Sequence, residues 1–209
     1  AANTALGFET LTADTKGQNN VAIGHHALST QNFTSLTSSY NTAVGSQAGL
    51  SITTGIENTI IGGLAGDALT DSDKNVAVGY VALSSDTQGS RSVAIGHSAL
   101  GNQNFSSATD SNNVAVGFFA GEDMTVGIKN TIVGNQAGEK LTDADFNVAI
   151  GFDALSTDTL GSRSTAVGYQ ALGTQNFTTA TGCQNTAVGY GSGFDLTTGT
   201  NNTFLGGDS

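Results

Sequence analysis

Four aspartates in two matching turns, Asp71-Ser72-Asp73 and Asp143-Ala144-Asp145, are the residues best suited to chemistry in this 209-residue chain. Carboxylates beside a turn are hard oxygen ligands of the kind Ca²⁺ takes, with turn carbonyls completing the shell. Neither an EF-hand loop nor a Gly-Gly-x-Gly-x-Asp array surrounds them, so solvated acidic turns are the plainer reading and no metal is expected. Asn32-Phe33-Thr34, Asn104-Phe105-Ser106 and Asn176-Phe177-Thr178 fit the N-glycosylation acceptor pattern, as does Asn201-Asn202-Thr203. The first three are copies of one repeat and count as one observation, and Asn and Thr also favour turns. His25 and His97 share a repeat position that Tyr169 fills in the next copy, which speaks against a metal role. Cys183 is the single cysteine and stands where earlier copies carry Ser111 and Ser39. It has no partner for an intrachain disulfide and reads as a small side chain in a turn.

Catalytic patterns are missing. The chain has no Gly-x-Ser-x-Gly, no metal-hydrolase histidine pair and no Walker loop. Polysaccharide cleavage by a carboxylate pair across a groove is also a poor fit, since the acidic residues fall in turns at positions dictated by a repeat. A site copied along a rod suits a scaffold better than an enzyme. No catalytic residue, no cofactor and no enzymatic activity are expected.

The element that positions all of these residues is a five-residue phrase, Asn-(Thr/Val)-Ala-(Val/Ile)-Gly, as in Asn41-Thr42-Ala43-Val44-Gly45. Its glycines are Gly7, Gly24, Gly45, Gly62, Gly79, Gly96, Gly117, Gly134, Gly151, Gly168, Gly189 and Gly206. Their spacings of 17, 21, 17 and 17 residues build a second-order repeat of 72. A fixed period of this length predicts a solenoid whose coils bury apolar surface only against their neighbours. Numbering each rung from its Asn or Ser, position 2 is Thr or Val, position 4 is aliphatic and position 5 is Gly. The alternation predicts a short strand with positions 2 and 4 on one face and the small residues of positions 1, 3 and 5 on the other. Stacked asparagines at position 1 are expected to form an amide ladder. A second short strand is expected around positions 7 to 11. The invariant Gly serves either positive φ or a close backbone approach.

The expected architecture is therefore all-β: a parallel β-solenoid of twelve rungs forming one elongated domain over residues 1–209. The 21-residue rungs carry an extra loop, marked by Gln31-Asn32-Phe33 and its copies, once every four coils. Proline is absent, as suits strands that donate hydrogen bonds along their whole length. A net charge of −11 with six Lys and Arg weighs against nucleic acid or an anionic membrane as partner. No apolar run is long enough to insert in a membrane, and no signal peptide is visible. Uncapped first and last rungs suggest a piece of a longer fibre protein.

Asn19-Asn20-Val21-Ala22-Ile23-Gly24 resembles the head repeat of YadA-like trimeric autotransporter adhesins, Asn-Ser-Val-Ala-Ile-Gly, with Asn for Ser. The 17-residue form at Asn75-Val76-Ala77-Val78-Gly79-Tyr80-Val81-Ala82-Leu83 is similar to repeats of bacteriophage tail-fibre and large bacterial surface proteins. The resemblance spans essentially the whole chain. It implies a left-handed β-roll, a homotrimer about a common axis, and an extracellular role on a virion or cell surface. On that basis the chain is expected to be the shaft or head of a fibre that attaches to a host receptor or glycan. The alternative is a filament that assembles end to end through open strand edges. An ice-binding solenoid ranks last, because Thr and Val alternate irregularly at position 2.

Overall fold

The structure, a computed structural model, describes residues 2–209. It is a parallel β-solenoid of twelve rungs with no helix among the described residues. Each rung contributes one three-residue strand at positions 2 to 4, from Thr4–Leu6 and Val21–Ile23 through to Thr186–Val188 and Thr203–Leu205. All twelve pair in parallel and in sequence order in one sheet. The register sets like on like: Ala77 lies beside Ala94, and Val78 beside Ile95.

Position 3 points inward. Ala22, Ala43, Ala77, Ala94 and Ala115 have no exposed surface, and neither do the position-8 alanines such as Ala27 and Ala48. Positions 2 and 4 point outward, half-buried or exposed. The interior is thus thin and lined by methyl groups, filled at its far side by one larger aliphatic residue per rung. In the first two of every four rungs that residue is Leu at position 9, as in Leu28, Leu83, Leu100 and Leu155. In the other two, position 9 is Gly and the aliphatic side chain comes from position 12: Ile52, Leu69, Met124 and Leu141. The exchange is steric. A Cβ at Gly49 would lie 3.0 Å from both Ile52 and Leu28, so only one of the two positions can be large in a given coil.

Position 1 binds rungs through backbone more than through an amide ladder. The Asn58 side-chain oxygen accepts the Asn75 backbone N–H at 2.9 Å, while its amide donates to the Ser72 carbonyl at 2.8 Å. Asn113 and Asn130 repeat this arrangement. Direct amide-to-amide contacts also occur, as from Asn58 to Asn41 at 3.3 Å, but they are longer. In the 21-residue rungs the added loop displaces the own-rung carbonyl. Asn20 there donates only to Asn3, at 3.4 Å. Ser92 and Ser164 fill the same position in the later copies because half of the asparagine's function is already gone.

The second strand does not lie at positions 7 to 11. Those residues turn through two left-handed corners, at position 7 (Gln47 φ 60°, Leu64 φ 56°) and position 9 (Leu28 φ 49°, Gly49 φ 59°), and a third precedes position 1 (Lys74 φ 61°, Arg91 φ 63°). Such φ values cost a non-glycine residue about 1 kcal/mol or more. Most corners here are held by a hydrogen bond to an adjacent coil, such as Gln47 N–H to the His25 carbonyl at 2.8 Å and Lys74 N–H to the Ile56 carbonyl at 3.0 Å in the preceding coil, and Leu28 N–H to the Ala48 carbonyl at 3.2 Å in the following one. The second strands are two-residue segments just before the next rung, and they pair only where a 17-residue rung meets a 21-residue one: Gly17–Gln18 with Thr37–Ser38, Gly89–Ser90 with Thr109–Asp110, and Gly161–Ser162 with Thr181–Gly182. The extra four residues let the chain run straight there.

The position-5 glycines satisfy both reasons for glycine at once. Gly117 has φ 143°, and a Cβ on it would overlap the Gly134 carbonyl oxygen and lie 2.6 Å from its carbon. Gly206, in the last rung, shares the positive φ (121°) but has nothing within 4 Å. Two substitutions separate the contributions. Gly117→Ala is expected to destabilise by about 4 kcal/mol or more, since two backbones must part. Gly206→Ala is expected to cost only the conformational strain, about 1–3 kcal/mol. Equal losses in denaturant titrations would show that φ alone demands the glycine.

Candidate functional surface

Asp71, Asp73 and Asp145 are separate braces between coils, and Asp143 is exposed. Asp71 accepts the hydroxyls of Thr53 and Thr54 at 2.6 and 2.7 Å, which hold its carboxyl below the usual aspartate range. Asp73 accepts the Ile56 N–H at 2.9 Å, and Asp145 accepts the Ile128 N–H at 2.8 Å. These bonds satisfy the carboxylates with backbone and hydroxyl donors from the preceding rung. No group of three or more His, Cys, Asp or Glu suited to a metal forms among the described residues.

Asn32, Asn104 and Asn176 are exposed at the start of the extra loop, and the Phe that follows each is buried. The loop hangs from that ring and from a backbone bond to the next coil, as Asn104 N–H donates to the Thr125 carbonyl at 2.8 Å. His25 and His97 lie at position 6 in an aromatic stack. His25 sits against Phe8 at 5.7 Å with planes 10° apart, and His97 lies between Tyr80 and Phe118. Cys183 is buried. Its thiol meets the Ser162 carbonyl at 3.1 Å, just as the Ser111 hydroxyl meets that of Ser90 at 2.8 Å. Burial pushes that thiol up, away from the reactive thiolate.

One constellation escaped the sequence reading. Asp86 and Asp158, 72 residues apart and each followed by Thr, occupy position 12 and point into the rod with no exposed surface. Asp86 accepts N–H groups from Gly89 (2.9 Å) and Phe105 (3.2 Å), and the Gln103 amide at 2.6 Å. Gln103 passes the chain on by accepting from Asn113 at 2.8 Å. Asp158, Gln175 and Asn185 repeat the network. The signal was present in the sequence: where position 9 is Leu, position 12 is Asp or Gln. This polar plug seats the extra loop and holds no opening for a ligand.

The outward face of the twelve-stranded sheet runs the length of the rod. Position 4 presents Ile, Val or Leu in every rung, with Ile61 39 %, Ile95 37 % and Ile150 37 % exposed. Stacked aromatic residues at position 6, including Tyr80, Phe118, Phe152 and Tyr169, border it where each strand has ended. No helix of the described residues is long and apolar enough to cross a membrane. No family model, curated protein or solved structure matches this chain.

The buried plugs make stability depend on pH. Burial raises the Asp86 and Asp158 carboxyls above the ordinary aspartate value, outweighing the hydrogen bonds that favour the anion. Their contribution is therefore full below about pH 4 and is lost as pH rises through the raised folded values. Asp71 acts in the opposite sense, losing its contribution as pH falls through its depressed value. The double substitution Asp86→Asn, Asp158→Asn is expected to flatten the decline in Tm as pH rises above about 4. An unchanged slope would assign that decline to other groups.

Proposed function

We propose that this chain is the body of a multi-chain extracellular fibre or adhesin, assembled through its outward sheet face. The observation that carries the proposal is the contrast between two columns of the same strands. Position 2 accepts Thr or Val and is half-buried in most rungs, whereas position 4, of similar exposure, never takes Thr in twelve copies. Strand propensity favours Thr nearly as well as Val, so propensity does not account for its exclusion. Burial of the column against another surface does, at about 25 cal/mol per Å² of apolar area removed from water. A contiguous exposed apolar strip is also the expected mark of an interaction surface.

The extracellular and adhesive parts of the proposal rest on the resemblance of the rung to adhesin-head and tail-fibre repeats. A trimer about a common axis is the assembly that resemblance implies, and an outward apolar strip running along the rod fits it. The acidic, lysine-poor surface suits a soluble rod better than one that lies on nucleic acid.

Light scattering after size exclusion, across a dilution series, tests the proposal. A mass of three chains that does not change with concentration is the expected result. A stable single-chain mass would overturn it. Masses that climb with concentration would favour the end-to-end filament instead.

A further inference from the structure

The 72-residue repeat sets one exposed contact beside its own copies. The residue before position 1 of each 21-residue rung faces the two-residue strand of that rung's loop. In the first copy the Asn19 amide donates to the Ser38 hydroxyl at 3.2 Å. In the second, Arg91 pairs with Asp110 at 2.6 Å. In the third, Arg163 stands where Arg91 does, but Gly182 takes the place of Asp110, in the same strand register. Neither reason that demands glycine at position 5 applies to it. Its φ is not positive, and a Cβ on it would meet only Arg163 Nη1, at 3.8 Å. Its effect is to remove a carboxylate. The preceding rungs change in the same sense: Lys129 stands in place of Glu57, and Phe146 in place of Lys74. The Lys74–Glu57 pair at 3.9 Å thus becomes a ring with Lys129 Nζ 5.2 Å from its centre and the Arg163 guanidinium carbon at 6.0 Å. A ring attracts a cation without neutralising it. At these four positions the second copy holds two ion pairs, and the third holds two cations with no acid, in a chain of net charge −11.

A shallow cleft of about 250 Å³ opens here, between Phe146 and loop residues 180–182, with Ser162 and Arg163 in its wall. We infer that it binds the carboxylate of a small hydroxylated acid of the uronic-acid type, free or as one residue of an acidic polysaccharide, and that Arg163 holds it. The second copy shows the chemistry: on the same backbone, the same guanidinium takes a carboxylate at 2.6 Å. Asp145 also lines the cleft but does not oppose this. It accepts the Ile128 N–H at 2.8 Å, just as Asp73 accepts the Ile56 N–H beside Arg91, which still holds Asp110. A planar guanidinium meets a carboxylate through two parallel hydrogen bonds, which fixes the orientation of the acid. The Ser162 hydroxyl accepts the Asp145 N–H at 2.9 Å and has its own proton to donate, and Asp145 has a second carboxylate oxygen to accept. Those groups suit the hydroxyls of an acidic sugar. The site lies within one chain and stands whether or not chains associate.

Titration of the full chain with galacturonate at fixed ionic strength, followed by ligand-observed NMR, tests the inference, with methyl galactoside as the uncharged control. A single exposed ion pair is weak, so the wild type is expected to bind galacturonate with a Kd of about 1–10 mM and the galactoside not at all. Gly182→Asp returns a carboxylate to a space that is open, so the chain fills its own site without strain. Arg163→Gln removes the cation. Circular dichroism melts check that both variants fold, and each is expected to bind about tenfold or more weakly. A trimer of galacturonate separates the two sources: affinity equal to the monomer's marks the single acid as the ligand, and tighter binding marks the polysaccharide. The inference is overturned by a wild type that binds no galacturonate at about 50 mM, by a galactoside that binds as well, or by variants that bind as the wild type does.

Discussion

Backbone packs on backbone along one line of this rod, and the rest of the structure depends on it. At position 5 each glycine Cα except that of Gly206 sits against the carbonyl of the glycine in the next coil, with no room for a side chain. This contact ends the strand where the chain must turn. It also holds every coil to a common phase, so that alanine stacks on alanine and asparagine on asparagine. An irregular coil anywhere would shift the register of its neighbours, since solenoid stability is a sum of coil and nearest-neighbour terms.

From that constraint the other devices follow as ways to close a coil without proline or a large core. Left-handed corners at three places per rung cost conformational energy, and inter-coil hydrogen bonds offset it. Asparagine at position 1 satisfies a donor in the next coil and an acceptor in its own, so few buried backbone groups need water. The exchange of bulk between positions 9 and 12 keeps the interior filled while rung types change. Asp86 with Gln103, and Asp158 with Gln175, use the same position to anchor an insertion. A polar plug of this kind stabilises only when every member is satisfied, and here each carboxylate accepts three bonds from surrounding donors.

A thin core has a consequence at the surface. Apart from Ile60 and Ile132, which are fully buried, the larger aliphatic residues of the strands lie not in the rod's interior but on its outside, and an apolar strip along the molecule has no cover within the chain. Together with the rod's shape, that strip favours association with another surface.

The amino-acid sequence alone determined the number of coils, their length, the position of the first strand in each coil and the place of the extra loop. Each depends on local spacing, and a repeat copied twelve times leaves no competing register. It left open which strand face turns inward, because alternation has two faces and both carried small or aliphatic residues. Tertiary structure decided that question by size: stacked coils approach too closely for valine or isoleucine at most inward positions, and alanine fits. Only tertiary structure moved the second strand to the junction beside the long loop, where pairing needs the neighbouring coil's extra residues. Burial of Asp86 and Asp158 was likewise hidden, since a lone aspartate in a turn reads as solvated until the next coil is laid over it.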